Sequence, residues 1–294
     1  MHRLMVTSAV YRQASKQRPD LEEIDPYNYL LARQVRLRVE AEIMRDSALV
    51  ASGLLNPAIE GPSVFPPIPS GAMNGTQVQK VWPTSFGPDR YRRGIYTFAF
   101  RSAMHPALGL LDAPDATAAC TRRVRSDSPL QALTLLNDTA FNELARGLGK
   151  RIIAEGGSTD RERLEFGVLN ALGRKPSPAE VDRLTRLLSL QRDEFQTDPE
   201  SAKALLGGAG DARAMREAEE TAAKPPAGTQ SPRGRAVAER TQALAQVELA
   251  AGKAAAQKRA AEVSAMDAKA IREWAVWTEV SRVLFNLDDF ITRN

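Results

Sequence analysis

Four dipeptides in which an oxygen-bearing residue precedes proline constrain the fold of this chain more than any other feature. They are Asp25-Pro26, Ser128-Pro129, Ser177-Pro178 and Asp198-Pro199. A side-chain oxygen at the N-cap accepts a hydrogen bond from the first turn of a helix, and proline is tolerated at the first helical position because its missing N–H has no helical partner there. Gln131 and Glu180 follow the two serines at the spacing of a capping box. The pattern predicts a mainly α-helical protein.

Apolar residues at three- and four-residue steps predict where the helices run. We expect helices over residues 1–15, 26–53, 129–154, 160–172 and 178–195. The second of these carries an apolar stripe formed by Leu30, Leu31, Val35, Ile43, Val50 and Leu54. Its other face is predicted to contact water through Arg33, Arg36, Glu40 and Arg45.

Residues 56–90 are rich in proline and glycine, which predicts a long loop that crosses the helices. The loop is followed by GIYTFAF, residues 94–100, whose side chains alternate as in a strand. A single strand needs a partner, which we expect near Val78 to Trp82. The predicted fold class is therefore mainly α: a multi-helix globular domain with a long Pro/Gly-rich loop and one short strand pair.

A change of composition marks residues 207–270 as an insertion. Residues 207–235 are too polar to offset the entropy lost on ordering and are predicted to form a linker. Residues 236–270 consist largely of Ala, Glu, Lys, Arg and Gln, so their helix propensity is high but they offer little apolar surface for packing. We expect a solvent-exposed helix or partial disorder here. The alternative is a partner-binding coiled coil.

The last helix is predicted to be buried, because its apolar face is unusually broad. That face is formed by Trp274, Trp277, Val280, Leu284, Leu287 and Ile291, and is widened by Val276, Val283 and Phe290. We therefore divide the chain into a main helical domain over residues 1–206, a linker and helical insertion over 207–270, and a C-terminal helix over 271–294 that docks back on the main domain.

Composition excludes several classes of protein. Hydrophobic residues make up 43% of the chain and charged residues 26%, which is typical of a globular protein, and no run of about 18 apolar residues is present to span a membrane. Cys120 is the only cysteine, so neither an intrachain disulfide nor the Cys-x-x-Cys-His motif of a c-type haem can form. We expect no cofactor in this chain. The net charge of +4 is small, which makes nucleic-acid binding a weak alternative.

His105, Asp112 and Asp115 are the candidates for proton transfer. His105 lies in a loop after the predicted strand, where functional residues are frequent, and is either a general base or a hydrogen-bonded turn residue. The two aspartates flank Ala113-Pro114, so a turn fixed by proline holds both carboxylates on one side. Paired carboxylates serve acid–base catalysis or bind a hard cation such as calcium. They also form Asx-turns and helix caps, which is the structural alternative.

Three arginines precede the helix that is predicted to begin at residue 129. They are Arg122, Arg123 and Arg125. Guanidinium groups near a helix N-terminus can bind phosphate, sulfate or a carboxylate. The alternative is a structural network with Asp112, Asp115 and Asp127. No P-loop, nucleophile-elbow, zincin or Cys/His metal motif occurs in the sequence, so we predict no metal site.

Five blocks of this sequence carry a family resemblance. They are MHRLMVTSAVYRQ, NYLLARQVRLRVEAEIMRDSALVASGLL, residues 91–141, ALGRKPSPAEVDRL and WAVWTEVSRVLFNLDDFITR. In this order they resemble the planctomycete-specific C-terminal domain of unknown function found in planctomycete-type cytochrome c proteins. That family is known by its sequence rather than by a reaction. Residues 207–270 look like an insertion specific to one lineage.

The resemblance implies a non-haem C-terminal module of a longer protein, with an interaction or scaffolding function and a periplasmic or secreted location. It also implies a part that precedes residue 1, whereas the polar N-terminus of the chain as written is not a signal peptide and predicts a cytoplasmic location. The expected partners are other domains of the parent protein or a cytochrome c module.

Two alternatives stay open. One is a hydrolase or binding site for an anionic, sulfated polysaccharide, in which His105, Asp112 or Asp115 transfers protons while Arg122 and Arg125 hold the anion. The weaker alternative is nucleic-acid binding through the arginine-rich N-terminal half.

Overall fold

Helices make up most of the regular structure. The computed structural model describes residues 1–69, 71–73, 82–101, 103–115, 117–207, 219 and 232–293. The helices are α1 (His2–Thr7), α2 (Ala41–Ser52), α3 (Pro106–Leu110), α4 (Pro129–Asn137), α5 (Thr139–Glu155), α6 (Asp160–Leu172), α7 (Pro178–Thr197), α8 (Pro199–Gly207), α9 (Pro232–Ala265), α10 (Ala268–Phe285) and α11 (Asp288–Ile291). Short 3-10 turns occur at Pro19–Leu21, Gly87–Tyr91 and Gly94–Tyr96. The predicted mainly α fold class is confirmed.

Three of the four predicted helix starts are confirmed. Ser128 and Ser177 form capping boxes at the beginning of α4 and α7, and Asp198 Oδ1 accepts hydrogen bonds at 3.2 Å from the backbone N–H groups of Glu200 and Ser201 at the start of α8. The predicted helix over residues 129–154 is divided in two, because Asp138 adopts an extended conformation between α4 and α5. Its carboxylate caps α5 by accepting a hydrogen bond from Ala140 N at 2.9 Å.

The helix predicted to begin at Pro26 does not form there. Asp25 does accept hydrogen bonds from the N–H groups of Tyr29 and Leu30, at 2.8 and 2.7 Å. The chain then turns, because Asn28 and Leu31 have φ angles of 55° and 53°, and a residue in the left-handed region cannot continue a right-handed helix. The helix in this region, α2, begins only at Ala41. The first helix is also shorter than predicted, since α1 ends at Thr7.

The buried face of α2 is the opposite of the predicted one. Of the predicted stripe, Ile43 and Val50 lie on α2 and are about half exposed. The buried residues of α2 are instead Ala41, Met44, Arg45, Ala48, Leu49, Ala51 and Ser52, and the helix packs against α5. Small side chains let the two helices approach closely, and the Arg45 guanidinium, predicted to face water, enters the interior and donates to the carbonyl of Arg90 at 2.9 Å. Residue volume and tertiary partners therefore override hydrophobicity here.

Helix α10 lies at the centre of the core. It packs against α4, α5, α6, α7 and α8, and Trp277, Leu284 and Phe285 are fully buried. Its closest neighbour is α5, where Gly149 has no side chain: a Cβ at this position would lie 2.8 Å from the backbone nitrogen of Thr278. The indole Nε1 of Trp274 donates to the carbonyl of Arg146 at 2.9 Å, which satisfies its polar atom in the interior.

The predicted strand at residues 94–100 is largely absent. Its first part forms the 3-10 turn Gly94–Tyr96, and Thr97 makes a single parallel bridge with Val64 rather than with the predicted partner. Residues 78–81 of that partner lie outside the described residues. The strand pair of the fold is elsewhere: β1 (Leu37–Arg38) pairs with β2 (Thr292–Arg293) in antiparallel register. The aromatic residues of this region form a cluster instead, in which the rings of Phe65 and Phe98 lie 4.8 Å apart.

Helix α9 is formed by the Ala-rich insertion and contacts the rest of the protein. It packs against α8, Val263 is buried, and Glu262 forms an ion pair with Lys150 on α5. The prediction of a helix is confirmed, whereas these contacts show that its C-terminal part is not simply solvent-exposed. Most of the predicted linker, residues 208–218 and 220–231, lies outside the described residues, and the division into domains stays a prediction.

We expect Gly149→Ala to destabilise the protein, because the new methyl group would meet the backbone of α10. Overpacking of this kind costs about 1–3 kcal/mol, which exceeds the gain of about 0.5–1 kcal/mol from replacing a helical glycine by alanine. Gly207→Ala is the matched control, since nothing lies within 4 Å of a Cβ at that position. Urea unfolding should show a lower free energy of unfolding for Gly149→Ala than for the wild type, and no decrease for Gly207→Ala. Equal stability of both variants would contradict the close approach of α5 and α10.

Candidate functional site

His105 is a buried residue rather than an accessible base. Its side chain is 3% exposed, Nε2–H donates to the carbonyl of Pro67 at 2.9 Å, and the ring packs edge-on against Trp82. Burial, assisted by the positive charge of Arg45, lowers the pKa of His105 to about 3. The imidazole is therefore neutral at physiological pH. Its Nδ1 atom has no hydrogen-bond partner among the described residues.

Asp112 holds the loop before α4 in place. It has a φ of 66°, and its carboxylate accepts hydrogen bonds from the N–H of Ser126 at 2.7 Å, from the Ser126 hydroxyl at 2.9 Å and from Gln131 Nε2 at 3.1 Å. Partial burial opposes ionisation, but these hydrogen bonds outweigh it and lower the pKa of Asp112. The carboxylate is thus ionised and acts as an acceptor between the loop and α4.

The other loop candidates have separate partners. Asp115 is exposed and accepts hydrogen bonds from the N–H and hydroxyl of Thr117 at 3.0 and 2.5 Å, as in an Asx-turn. Arg123 makes a bidentate pair with Glu42 on α2, at 2.7 and 3.1 Å. Arg122 and Arg125 are exposed and make no ion pair with a described residue. Asp127, offered as a partner of these arginines, pairs with Arg38 at 2.9 Å.

The six candidates are therefore not brought together. Among the described residues, no hydrogen bond or ion pair joins His105, the two aspartates and the three arginines to one another. The predicted network of Asp112 and Asp115 with Arg122 and Arg125 does not form, because Ser126 and Gln131 bond the carboxylate of Asp112 and Thr117 bonds that of Asp115.

A buried charged centre, which the sequence did not predict, lies around Glu143 on α5. The Glu143 carboxylate is 5% exposed and accepts hydrogen bonds from Arg90 Nε at 2.7 Å, from the Tyr91 hydroxyl at 2.8 Å and from Arg259 Nη2 at 3.3 Å. Burial alone would raise the pKa of Glu143, but the charges of Arg90, Arg259 and Arg146 outweigh it and hold the pKa below its ordinary value. The centre joins the loop before residue 92, helix α5 and the insertion helix α9.

Arg45 and Asp138 lie at the edge of this centre and are also buried. Burial lowers the pKa of Arg45 to about 10, against the opposing charges of Glu143, Asp46 and Asp138. Burial raises the pKa of Asp138 to about 6, although the carboxylate caps α5. The protonation of Asp138 thus changes near pH 6. It lies within the core, where a substrate has no direct access.

Most residues of the N-terminal segment, residues 1–36, are exposed. Apolar side chains that would normally enter a core are exposed here: Met1, Leu4, Met5, Val6, Val10, Tyr11, Ile24, Tyr27, Tyr29, Leu30, Leu31 and Val35. Tyr27, Tyr29 and Leu30 are 78%, 82% and 75% exposed. The segment joins the remainder of the protein where it ends, through an ion pair between Arg36 and Asp288 and the β1–β2 pairing that follows.

No group of three or more His, Cys, Asp or Glu side chains suited to a metal ion occurs in the described parts of the chain. Within those same parts, no helix is both long and apolar enough to cross a membrane.

The model of a known protein family matches most of this chain. The model of the family PSD1, a protein of unknown function (DUF1553), matches residues 1–188 of the 294-residue chain. The chain belongs to the PSD1 family. The matched range includes the N-terminal segment, the candidate loop and Glu143, and it ends before α8, α9 and the central helix α10. No curated protein and no solved structure matches the chain.

One signal could have revealed the charged centre of this PSD1 chain. Glu143 lies on the buried face of α5 with Ala140, Leu144 and Leu148, so a carboxylate interrupts an apolar stripe at helical spacing. A charge in that position must be paired if the helix is buried. The identity of its partners could not be predicted, because Arg90 and Arg259 are distant in sequence from Glu143 and from each other.

We expect Glu143→Gln to destabilise the protein by about 3–5 kcal/mol, because it leaves the buried guanidinium of Arg90 without its carboxylate. Glu165→Gln makes the same chemical change in a solvent-exposed pair with Arg161 and should cost less than about 1 kcal/mol. The measurement is chemical denaturation of both variants at neutral pH. Similar losses in the two variants would show that the Glu143 centre is not a buried pair.

Asp138→Asn should change the pH dependence of stability. Since folded Asp138 keeps its proton up to about pH 6 and an unfolded aspartate loses it near 3.8, the folded state binds more protons between these values, and its free energy of unfolding falls as pH rises through them. Asparagine keeps the cap but does not titrate. The free energy of unfolding of the variant, relative to that of the wild type, should therefore rise from pH 4 to pH 7 by up to about 3 kcal/mol.

The control for this experiment is Asp198→Asn, which makes the same change at the exposed cap of α8. Urea unfolding of the wild type and both variants is measured at pH 4, 5, 6 and 7, and a pH-dependent gain seen in Asp138→Asn and not in Asp198→Asn assigns the effect to the buried cap. A profile of Asp138→Asn that runs parallel to that of the wild type would mean that Asp138 has an ordinary pKa.

Proposed function

We propose that this PSD1 chain is a non-haem interaction module of a planctomycete-type cytochrome c protein, acting outside the cytoplasm. In this proposal the N-terminal segment docks on another domain of the same parent protein. The observation that carries it is the concentration of exposed apolar side chains in residues 1–36. The cytochrome c context and the location come from the family resemblance.

Single exposed apolar residues are common on protein surfaces, whereas a dense group of them marks a binding surface. Beyond the first 40 residues, the exposed large apolar residues, such as Leu190 on α7 and Ile59 in the long loop, are distributed over many elements. In the N-terminal segment they follow one another closely, and arginines and tyrosines lie among them. Tyrosine, methionine and arginine are the residues enriched at protein–protein interfaces.

Internal hydrogen bonds give the segment a defined shape before any partner binds. Asp25 accepts hydrogen bonds from the N–H groups of Tyr29 and Leu30, and the rings of Tyr27 and Tyr29 lie 5.8 Å apart. The apolar side chains are therefore presented on a folded turn. Preorganisation of this kind lowers the entropic cost of binding.

The placement of the loop candidates does not favour the hydrolase alternative. His105 is buried and neutral, and Asp112 is engaged by Ser126 and Gln131. A general base must reach the proton it removes, and among the described residues neither group forms a hydrogen bond or ion pair with Arg122 or Arg125. An interaction role requires none of these residues to be catalytic.

The test measures binding of this chain to the cytochrome c module of its parent protein, expressed separately, by isothermal titration calorimetry. We expect a complex that the double substitution Tyr29→Ser/Leu30→Ser weakens at least 10-fold, since two interface anchors each contribute on the order of 1 kcal/mol or more. Because both side chains are exposed in the free chain, the thermal midpoint of the variant should stay close to that of the wild type.

Leu190→Ser is the matched control, since it removes an exposed apolar side chain from α7. It should bind the partner as the wild type does. The proposal is wrong if the wild type forms no complex with the module, or if the control weakens binding as much as the double substitution.

A further inference from the structure

A cleft lies within the N-terminal segment, apart from the charged centre and the candidate loop. It is lined by Ser15, Lys16, Gln17, Arg33 and Arg36, and its volume is about 450 Å³. Ligand pockets in proteins commonly measure about 300–1,000 Å³. The cleft is therefore large enough for a small organic molecule and not only for an inorganic ion.

Two amide side chains fix the walls of this cleft. The backbone N–H of Gln34 donates to the carbonyl of Ala14 at 3.1 Å, and its side chain donates to the carbonyl of Val10 at 3.0 Å, so the chain before Lys16 lies beside the chain around Arg33. Asn28 is buried, and its side chain bonds both backbone polar groups of Arg33, at 2.8 and 3.2 Å. The positions of the cationic residues are thus set by the backbone.

The lining of the cleft is cationic. Lys16, Arg33 and Arg36 contribute three positive charges, and none of the described lining residues is acidic. Arg36 is paired with Asp288 outside the lining, whereas Lys16 and Arg33 make no ion pair with a described residue. Guanidinium groups hold oxyanions through paired, charge-assisted hydrogen bonds, and an ammonium group adds a point charge.

A smaller cavity of about 90 Å³ adjoins the cleft, since both are lined by Gln17 and Arg33. Its lining includes Glu22 and Asp25 as well as Arg18, which is paired with Asp20. The carboxylate oxygens can accept hydrogen bonds from the hydroxyl groups of a ligand. The two cavities together suit a molecule with an anionic end and a neutral, hydroxylated body.

We propose that this cleft binds the oxyanion of a sulfate or phosphate ester, with Lys16 and Arg33 as the principal contacts and Arg36 as a further cation. The hydroxylated part of the ester extends toward Glu22 and Asp25. This site is distinct from Arg122, Arg123 and Arg125, and it does not depend on the docking role of the apolar side chains.

Calorimetric titration of the full chain at low ionic strength tests the proposal with four probes: inorganic sulfate, inorganic phosphate, a monosaccharide sulfate and a monosaccharide phosphate. We expect at least one ester to bind with a Kd on the order of 1 mM or tighter, more tightly than the matching inorganic ion, and more weakly as salt is added. Comparison of the two esters identifies which oxyanion the cleft prefers.

The variant Lys16→Gln/Arg33→Gln should weaken ester binding at least 10-fold without a change in thermal midpoint in the absence of ligand. Arg122→Gln/Arg125→Gln removes the same two charges from another exposed site and should change the Kd less than 2-fold. The proposal is overturned if no ester binds, if the inorganic ions bind as tightly as the esters, or if the control variant loses binding to the same degree.

Discussion

The contact between α5 and α10 is the constraint on which the rest of the fold depends. At Gly149 the backbones of the two helices approach so closely that a methyl group would meet Thr278. This proximity places Trp277 in the interior, and α4, α6, α7 and α8 pack around the same helix. The core is therefore organised about one helix, and the loops and the N-terminal segment are attached to the outside of that core.

Charge is distributed in the interior so that opposing effects of pH partly cancel. His105 has a pKa lowered by burial to about 3, so protonation of the unfolded state destabilises the protein as pH falls below about 6.5. Asp138 acts in the other direction, because its raised pKa of about 6 favours the folded state as pH falls. The positive charge of Arg45 on α2 acts on both groups: it helps to lower the pKa of His105, and it opposes the rise in the pKa of Asp138 at the cap of α5.

The features that the sequence predicted are those decided by local chemistry. The serine caps, the helical insertion and the apolar face of α10 as far as Leu284 follow from neighbouring residues alone. The helix predicted over 271–294 instead ends at Phe285, and Leu287 and Ile291 lie beyond it. The buried face of α2 does not follow from neighbouring residues. Ala41 and Ala48 are buried because their side chains are small, and Arg45 is buried because it donates a hydrogen bond to the carbonyl of Arg90. The sequence indicates that the candidate loop is polar and structured. Whether Asp112 bonds Ser126 or an arginine depends on the backbone conformation of the loop, which cannot be predicted from composition.

The position of α10 in the chain has a consequence for biosynthesis. Gly149 and Trp277 are separated by more than a hundred residues, yet part of the apolar face of each of α5 and α7 is covered by α10. Since α10 can pack only after residues 268–285 have left the ribosome, the surfaces of α5 and α7 that it covers stay exposed until then. A nascent chain arrested within α9 is therefore expected to expose the apolar surface that α10 covers, and surface of this kind is prone to aggregate.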